Sequence, residues 1–521
     1  MNQSTEQQTN GSVPLAEAAI LLGPNDAAAV ARRPIPAGQV LALADGATFT
    51  VAVDIPPGHK VAVRALAAGD TLLKYGQPIG RAACAIRPGE HIHRHNVESA
   101  GPRAERKRKP VAASTESPDG PVRTFEGFLR DDGRVGTRNF IAIISSVNCS
   151  ASVARYVADE FRDVKKAFPN VDGVLAITHK TGCGVAAEGD NLKVLRRTLA
   201  GIANHPNVAA KVMIGLGCEV NQLDGVQQYV QLGQNEQPPT TLTIQTTGGV
   251  RKTVQAGVDA VREALPRLNA MQRTTQPASK LVLGCECGGS DGSSGITANP
   301  AVGNAADRLV RQGGTAVLAE TPEICGAEHL LIERAVSDAV ADKVIGFVDW
   351  WEAYAAKWGF TLQQNLAAGN YEGGLTTIAE KSLGAVAKGG TTPLTGAFGF
   401  AEPIDTPGFV FMDTPGYDPV SVTGMVAGGC NLIIFTTGRG SVFGCKPSPS
   451  LKICTNTVTY ERMIEDMDIN AGTILTGESV ASVGERIFEE LLAVASGKPT
   501  KSEAQGIGDE EFAPWDYGPF F

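Results

Sequence analysis

The sequence predicts an α/β protein: a small β-rich N-terminal unit, a linker, and a body of mostly parallel sheets with helices on their faces. Three observations predict it. Short Val/Ala/Leu runs separated by turn signals fill residues 13–97. Residues 98–123 are rich in Pro, Ser and charge and carry neither helical nor strand periodicity, as a linker does. Beyond them the order strand, Gly- or Cys-containing loop, helix recurs, which is how parallel sheets covered by helices are built. At 521 residues the chain exceeds a single core. A polar stretch at 272–279 divides the body into a middle unit, 124–275, and a C-terminal unit, 276–515.

In the N-terminal unit the turn signals are PAG at 36–38, DG at 45–46, PPG at 56–58, AAGD at 67–70 and PG at 88–89. Strands so closely spaced predict a compact barrel or roll. The basic run at 103–109 reads as a solvated part of the linker, not a nucleic-acid patch. In the body, buried-strand runs are expected at 140–147, 171–177, 211–214, 280–283, 315–319 and 431–435. Residues 148–150 are expected to cap a helix that buries Val153, Tyr156, Val157, Phe161 and Val164, and another helix is expected from 327 to about 342. Ligands of such sheets bind beyond the carboxyl ends of the strands, where the Gly- and Cys-containing loops fall.

Composition limits the partners. The chain is 43% hydrophobic and 19% charged, with 60 glycines clustered between apolar runs, which suits the loops of a globular α/β enzyme. A net charge of −9 disfavours nucleic acid and anionic membranes, and it means that an acidic substrate requires a locally positive pocket. No apolar run approaches the ~18 residues of a membrane span. The N-terminus lacks the basic and apolar segments of a signal peptide, and ten cysteines in so long a chain form no disulfide framework. A cytoplasmic protein with reduced thiols, assembled as a homo-oligomer, is the expectation.

Three constellations carry chemistry. The segment GEHIHRHN at 89–96 holds three of the seven histidines at alternate positions, so an extended strand would point His91, His93 and His95 to one face. Neutral imidazoles suit Fe(II), Mn(II) or Zn(II), and His59 is a further candidate ligand. The segment CGGSDGSSGITANP at 287–300 offers backbone N–H groups with Ser290, Asp291, Ser293, Ser294 and Asn299, a cradle for a carboxylate or polyol. TTGRG at 436–440 adds Arg439, whose fork suits a carboxylate. The cysteines are the third. Cys285 and Cys287 lie one residue apart, unlike usual zinc or iron–sulfur spacing, and Cys149, Cys183 and Cys218 each stand alone past a strand. The sequence leaves open whether these three converge; small loop residues or single thiolate ligands are the expectation.

The motifs GFLRDDGRVGTRN at 127–139, HKTGCG, GLGCE, ECGGSDGSSGITANP, TTGRG and DINAGT at 468–473 resemble the altronate/galactarate dehydratase family. KYGQPIG at 74–80 and GEHIHRHN resemble its N-terminal SAF domain. The resemblance runs from about residue 15 to about residue 500. It implies loss of water from a hexonate or hexarate to give a 2-keto-3-deoxy acid, with ferrous iron or another divalent ion such as Mn(II). The His-rich motif looks like the altronate branch; DINAGT and the length lean toward galactarate. Residues 365–374 (NLAAGNYEGG) depart from an NPSPGN-like family loop, which bears on substrate and not on reaction class. Such chemistry requires a metal, a base, an acid and a cation for the carboxylate. The candidates are His59, His91 and His93 for the metal, Arg138 and Arg439 for the carboxylate, and His179 or Lys452 for the proton. A sulfolactate-type lyase of the same family is the alternative enzyme. A sugar-acid sensor is the non-enzymatic one, though no helix-turn-helix or basic helix is present.

Overall fold

A computed structural model describes residues 11–99, 108–109, 120–231 and 237–518. The expected linker falls mostly on residues 100–107 and 110–119, outside the described residues. Arg108 and Lys109, which are described, pair with Asp338 and Glu333 of the body.

The N-terminal unit is β-rich. Ala19–Ile20, Ala28–Ala31, Lys60–Ala62 and His91–Ile92 form an antiparallel sheet in that spatial order, flanked by two three-stranded sheets. One set of its apolar residues, including Ile35, Leu41, Val51, Ile55 and Val61, makes a core of its own. Another set, including Leu72, Ile79, Ile92 and Val97, is continuous with Leu318, Ile332, Val344 and Phe411 of the body. The unit is therefore seated on the body by shared apolar burial.

The middle unit is a four-stranded parallel sheet in the order Gly173–Ile177, Phe140–Ser145, Val208–Gly215, Thr240–Thr243. Strand alternation divides its faces. Ile141 and Ile143 pack with Val153, Val157, Val258 and Val261 of the helices Asn148–Asp159 and Val250–Asn269. Ala142 and Ile144 pack with Leu195 and Leu199 of the helix Asp190–Ala203. Tyr156, expected inside, is exposed, and Phe161 and Val164 are buried just past the end of their helix. The polar stretch at 272–279 contains the strand Thr274–Pro277, antiparallel to Thr124–Leu129, so entry to and exit from the middle unit are tied together.

The C-terminal unit carries seven parallel strands in the order Leu394–Phe398, Gly408–Met412, Thr315–Leu318, Val282–Cys287, Leu432–Thr437, Ser450–Cys454, Ile469–Asn470. The chain starts in the centre at Val282–Cys287, winds outward on one side, then returns to build the other. The winding thus reverses between Val282–Cys287 and Leu432–Thr437, and the crevice beyond their carboxyl ends is where such a sheet takes a ligand. Helices Ala298–Arg311 and Val480–Ala495 cover one face. On the other, Asp418–Gly428 meets the middle unit so closely that a Cβ on Gly201 would lie 2.3 Å from the Ala427 carbonyl. The helix expected from 327 to about 342 is broken into His329–Ile332 and Asp338–Lys357. Ala335 bridges to Leu394 in the gap, and Ser337 restarts the helix by accepting from the Val340 N–H. No helix among the described residues is long and apolar enough to cross a membrane.

Candidate active site

The loop after Val282–Cys287 is shaped around Asp291. This carboxylate is buried and accepts from the Ser293 N–H, Ser294 Oγ, Thr455 Oγ1 and Asn456 Nδ2 at 2.9–3.2 Å. Burial pushes its pKa up, and those hydrogen bonds pull the other way. A Cβ on Gly438 would fall 2.2 Å from it, so Asp291 ties together the ends of three neighbouring strands. The backbone N–H groups of 291–294 are spent within this assembly, on Ser294 Oγ, Gly373 O, Asp291 Oδ1 and Asp291 O. Ser290, Ser293 and Ser294 are buried with it, and Asn299 lies deeper, between Thr436 and the Gly384 carbonyl. The loop is a wall of the crevice in which the amide donors of 291–294 are already used.

The segment 365–374, singled out for its missing prolines, is the keystone. Asn370 donates to Ser290 O, and Gly373 O receives the Gly292 N–H. Tyr371 O and Glu372 O each accept from a histidine of the N-terminal unit, His93 Nε2 and His59 Nε2, both at 3.0 Å. Glu372 also reaches across to Arg439 at 2.9 Å, an ion pair left largely in solvent. His59 Nδ1 and His91 Nε2 stand 3.0 Å apart, and the rings of His59, His91 and His93 lie 5.1–5.3 Å from one another. The strand ends at Ile92, so the three imidazoles meet through a turn and not along an extended face. Burial, then the neighbouring rings, lowers His91 to about 3, and His59 and His93 are lowered chiefly by burial. All three are neutral imidazoles at pH 7, the ligating form.

Beneath this surface Lys60 and Lys74 both bind Glu380 at 2.8–3.0 Å, with all three side chains fully buried. Lys60 also donates to Gly374 O at 2.6 Å. A Cβ on Gly292 would stand 2.0 Å from Gly58 O, so the two units touch backbone to backbone.

Deeper still is a cluster with no counterpart in the sequence-based candidate set. Cys287, Glu320 and Glu323 form one group of metal-ligand type, and Glu286, Glu320 and Asp418 form another. Lys388 pairs with Glu320 at 3.2 Å and Lys381 with Glu323 at 2.5 Å. Burial and then the Glu320 charge push Glu286 well above the usual range, and burial with Glu320 and Glu323 takes Asp418 to about 7. One oxygen each of Glu286 and Glu320 is buried without a partner. Glu320 also holds φ at 69°, a left-handed strain of about 1–3 kcal/mol that side chains rarely bear without reason. The only signal in the sequence was the Cys-Glu-Cys run at 285–287; Glu320, Glu323 and Asp418 come from other strand ends.

Three candidates sit elsewhere. Arg138 lies before the start of Phe140–Ser145 and spends all five guanidinium N–H donors on Glu503, Thr137 O, Val494 O and Lys498 O. It joins the middle and C-terminal units and has no donor left for a substrate. His179 is buried with both ring nitrogens occupied, by Ser145 O and the Thr181 N–H, and burial lowers it to about 4. Lys452 is buried mid-strand, donating to Phe443 O and Ser502 Oγ. None of the three is brought to the histidines or to Arg439.

Three family models match in tandem: the altronate/galactarate dehydratase SAF domain at 17–100, the D-galactarate dehydratase/altronate hydrolase second domain at 127–269, and the D-galactarate/altronate dehydratase C-terminal domain at 278–520. An altronate dehydratase of Bacillus subtilis is 34% identical over 459 residues, 88% of this chain and 91% of that protein. The chain belongs to the altronate/galactarate dehydratase family. A galactarate dehydratase (L-threo-forming) of Escherichia coli is 38% identical over 88% of this chain and 89% of its own length. A (2R)-sulfolactate sulfo-lyase subunit beta of Chromohalobacter salexigens is 34% identical over 75% of the chain and 96% of that subunit. In this dehydratase family member all three matched domains meet in the described fold, with the SAF domain supplying the histidines and the C-terminal domain the crevice.

Proposed function

We propose that the protein removes water from a hexonate or hexarate, altronate first and galactarate second, to give a 2-keto-3-deoxy acid with the help of Fe(II), or Mn(II) in its place. The observation that carries this is the meeting of His59, His91 and His93 with Arg439 and Glu372 across segment 371–374. Two nitrogen ligands at about 2.1 Å and a right angle stand about 3.0 Å apart, the separation of His59 Nδ1 and His91 Nε2. The other nitrogen of His59 is anchored to a backbone carbonyl, as ligating imidazoles usually are. His59 and His91 fit two neighbouring ligands of a divalent ion, although the three histidines together do not bring their ligand atoms within 4.8 Å of one another. When bound, such an ion would supply a positive centre that draws charge from the substrate carboxylate and acidifies the C2 proton. Arg439 exchanges its exposed partner Glu372 for the substrate carboxylate, and the released Glu372 takes the C2 proton. The C3 hydroxyl leaves as water with the proton that Glu372 took from C2, and the enol product rearranges to the keto acid.

A second reading puts the ion among Cys287, Glu286, Glu320 and Glu323, favoured by the two unpartnered oxygens there. One experiment separates the readings. Purified protein, anaerobic and supplied with Fe(II) and reductant, is assayed for 2-keto acid on a panel of hexonates and hexarates, with metal content measured for His91→Ala and Glu320→Gln. Product from altronate or galactarate, lost with the metal in His91→Ala, supports the first reading. Metal lost only in Glu320→Gln moves the ion to the buried cluster. No keto acid from any member of the panel refutes dehydration.

A further inference from the structure

The middle unit has a rim of its own. Four cysteines are exposed, and three of them, Cys149, Cys183 and Cys218, follow three adjacent strands of one parallel sheet at its carboxyl edge. The loops that bear them are stitched to one another in all three pairings. The Asn148 N–H donates to Thr181 O at 3.0 Å, the Asn221 N–H to Gly182 O at 3.0 Å, and Ser146 Oγ to Glu219 at 2.7 Å. Each cysteine is the immediate chain neighbour of a residue in that stitching: Asn148, Gly182 or Glu219. With Cα steps of about 3.8 Å, the three thiols emerge on a ring on the order of 10 Å across. Gly182 is pressed against the Ser146 carbonyl so closely that a Cβ would stand 2.5 Å from it, which fixes the middle loop in place. Two of the anchors are buried polar groups, His179 with both nitrogens used and Glu219 with hydrogen bonds from Leu216, Gly217 and Ser146.

The geometry argues for a particular ligand. Only two three-ligand groups among the described residues bring their atoms within 4.8 Å of one another, and neither includes these thiols. A single small ion held by all three is therefore not the fit. Three thiolates set wider, on neighbouring loops of a solvent-facing edge, match an inorganic cluster of several irons. Two local features favour a negatively charged sulfur centre. Cys149 lies in the first turn of the twelve-residue helix Asn148–Asp159, at its positive end, and Gln245 Nε2 donates to Cys218 Sγ at 3.5 Å.

We propose that Cys149, Cys183 and Cys218 hold a four-iron, four-sulfide cluster through three thiolates, leaving the fourth iron without a protein thiolate and open to a small oxygen ligand. The thiols belong to the middle unit and the histidines to the N-terminal unit, and occupancy of the thiol site does not depend on which sugar acid the protein takes.

The full-length chain is reconstituted anaerobically with ferrous iron and sulfide, desalted, and measured for iron, acid-labile sulfide and visible absorption. About four irons and four sulfides per chain, with a broad visible band, are expected. Cys149→Ser, Cys183→Ser and Cys218→Ser should each lose sulfide and band while their apo forms melt with apo wild type; Cys84→Ser, the other exposed thiol, should keep both. Gln245→Leu removes only the donor to Cys218, so it should retain the cluster and lower its reduction potential. Iron bound without sulfide, a band that survives Cys183→Ser, or an unchanged potential in Gln245→Leu would overturn the assignment.

Discussion

Glu380→Gln tests how the SAF domain is held over the crevice. The wild-type carboxylate accepts from Lys60, Lys74, the Thr376 N–H and Thr376 Oγ1, in a site with no solvent contact. Two ammonium groups already share this one carboxylate. Burial lowers Lys60 to about 8, whereas for Lys74 the attraction of Glu380 and Tyr75 outweighs burial and holds the pKa up. Glutamine keeps the shape but removes the only counter-charge in direct contact. Breaking a buried pair in this way costs about 3–5 kcal/mol, equivalent to a ~150- to 5,000-fold shift in the docking equilibrium. Because both lysines belong to the SAF domain and Glu380 to the body, the loss is expected at their interface. Hydrogen exchange on the full-length protein should show protection in Lys60–Ala62 and Thr71–Lys74 falling by that factor, with turnover lost alongside. All four tryptophans, Trp350, Trp351, Trp358 and Trp515, lie in the body, so their fluorescence reports its unfolding separately. The folded-state pKa of Lys60 lies below its unfolded value, so raising the pH from 7 to 9 should restore part of the lost protection as the lysine discharges. A fall in protection of less than tenfold would refute the idea that this triad locks the domain.

Further outcomes follow from neighbouring contacts. Gly292→Ala should uncouple the SAF domain and abolish turnover with little change in the tryptophan-monitored transition, since its Cβ would sit 2.0 Å from Gly58 O; full activity would show that the contact yields freely. Arg439→Leu should raise KM about 10- to 150-fold, the weight of a charged hydrogen bond, and Arg439→Lys should recover part of it; a change confined to kcat would place the arginine elsewhere in the reaction. His179 and His205 are buried and neutral, with pKa values lowered to about 4 and about 3 from 6.5. Unfolding lets them take up protons below pH 6.5, so stability is lost as pH falls, by about 2–3 kcal/mol for each between pH 6.5 and 4.5. Urea titrations at the two pH values check this, and a His205→Gln variant with the wild-type pH slope would contradict it.

Much of the fold was legible because its signals are local. The strand–loop–helix order, the runs at 140–147 and 431–435, and the turn-rich first hundred residues each report burial or a turn within a few residues of chain. Ser337 is equally local, yet the break it ends was hidden, because 327–342 is apolar enough to pass for one helix and only the bridge from Ala335 to Leu394 shows the gap. The His91–His93 pair was visible for the same reason: two positions two apart, on one short segment.

The sequence by itself determined the family, the reaction class, the α/β architecture with its SAF domain, and the candidate histidines, because each rests on residues close together in the chain. Only the tertiary structure decided which candidates meet. Arg138, His179 and Lys452 have the right side chains, but their hydrogen-bonding groups are engaged inside the protein by residues up to hundreds of positions away. Glu320, Glu323 and Asp418 gather around Glu286 and Cys287 from separate strand ends, and segment 365–374 joins the crevice to the SAF domain. A side chain's chemistry is written in its residue type. Whether it is free to act depends on which groups satisfy it when buried, and those partners are set by the packing of distant segments.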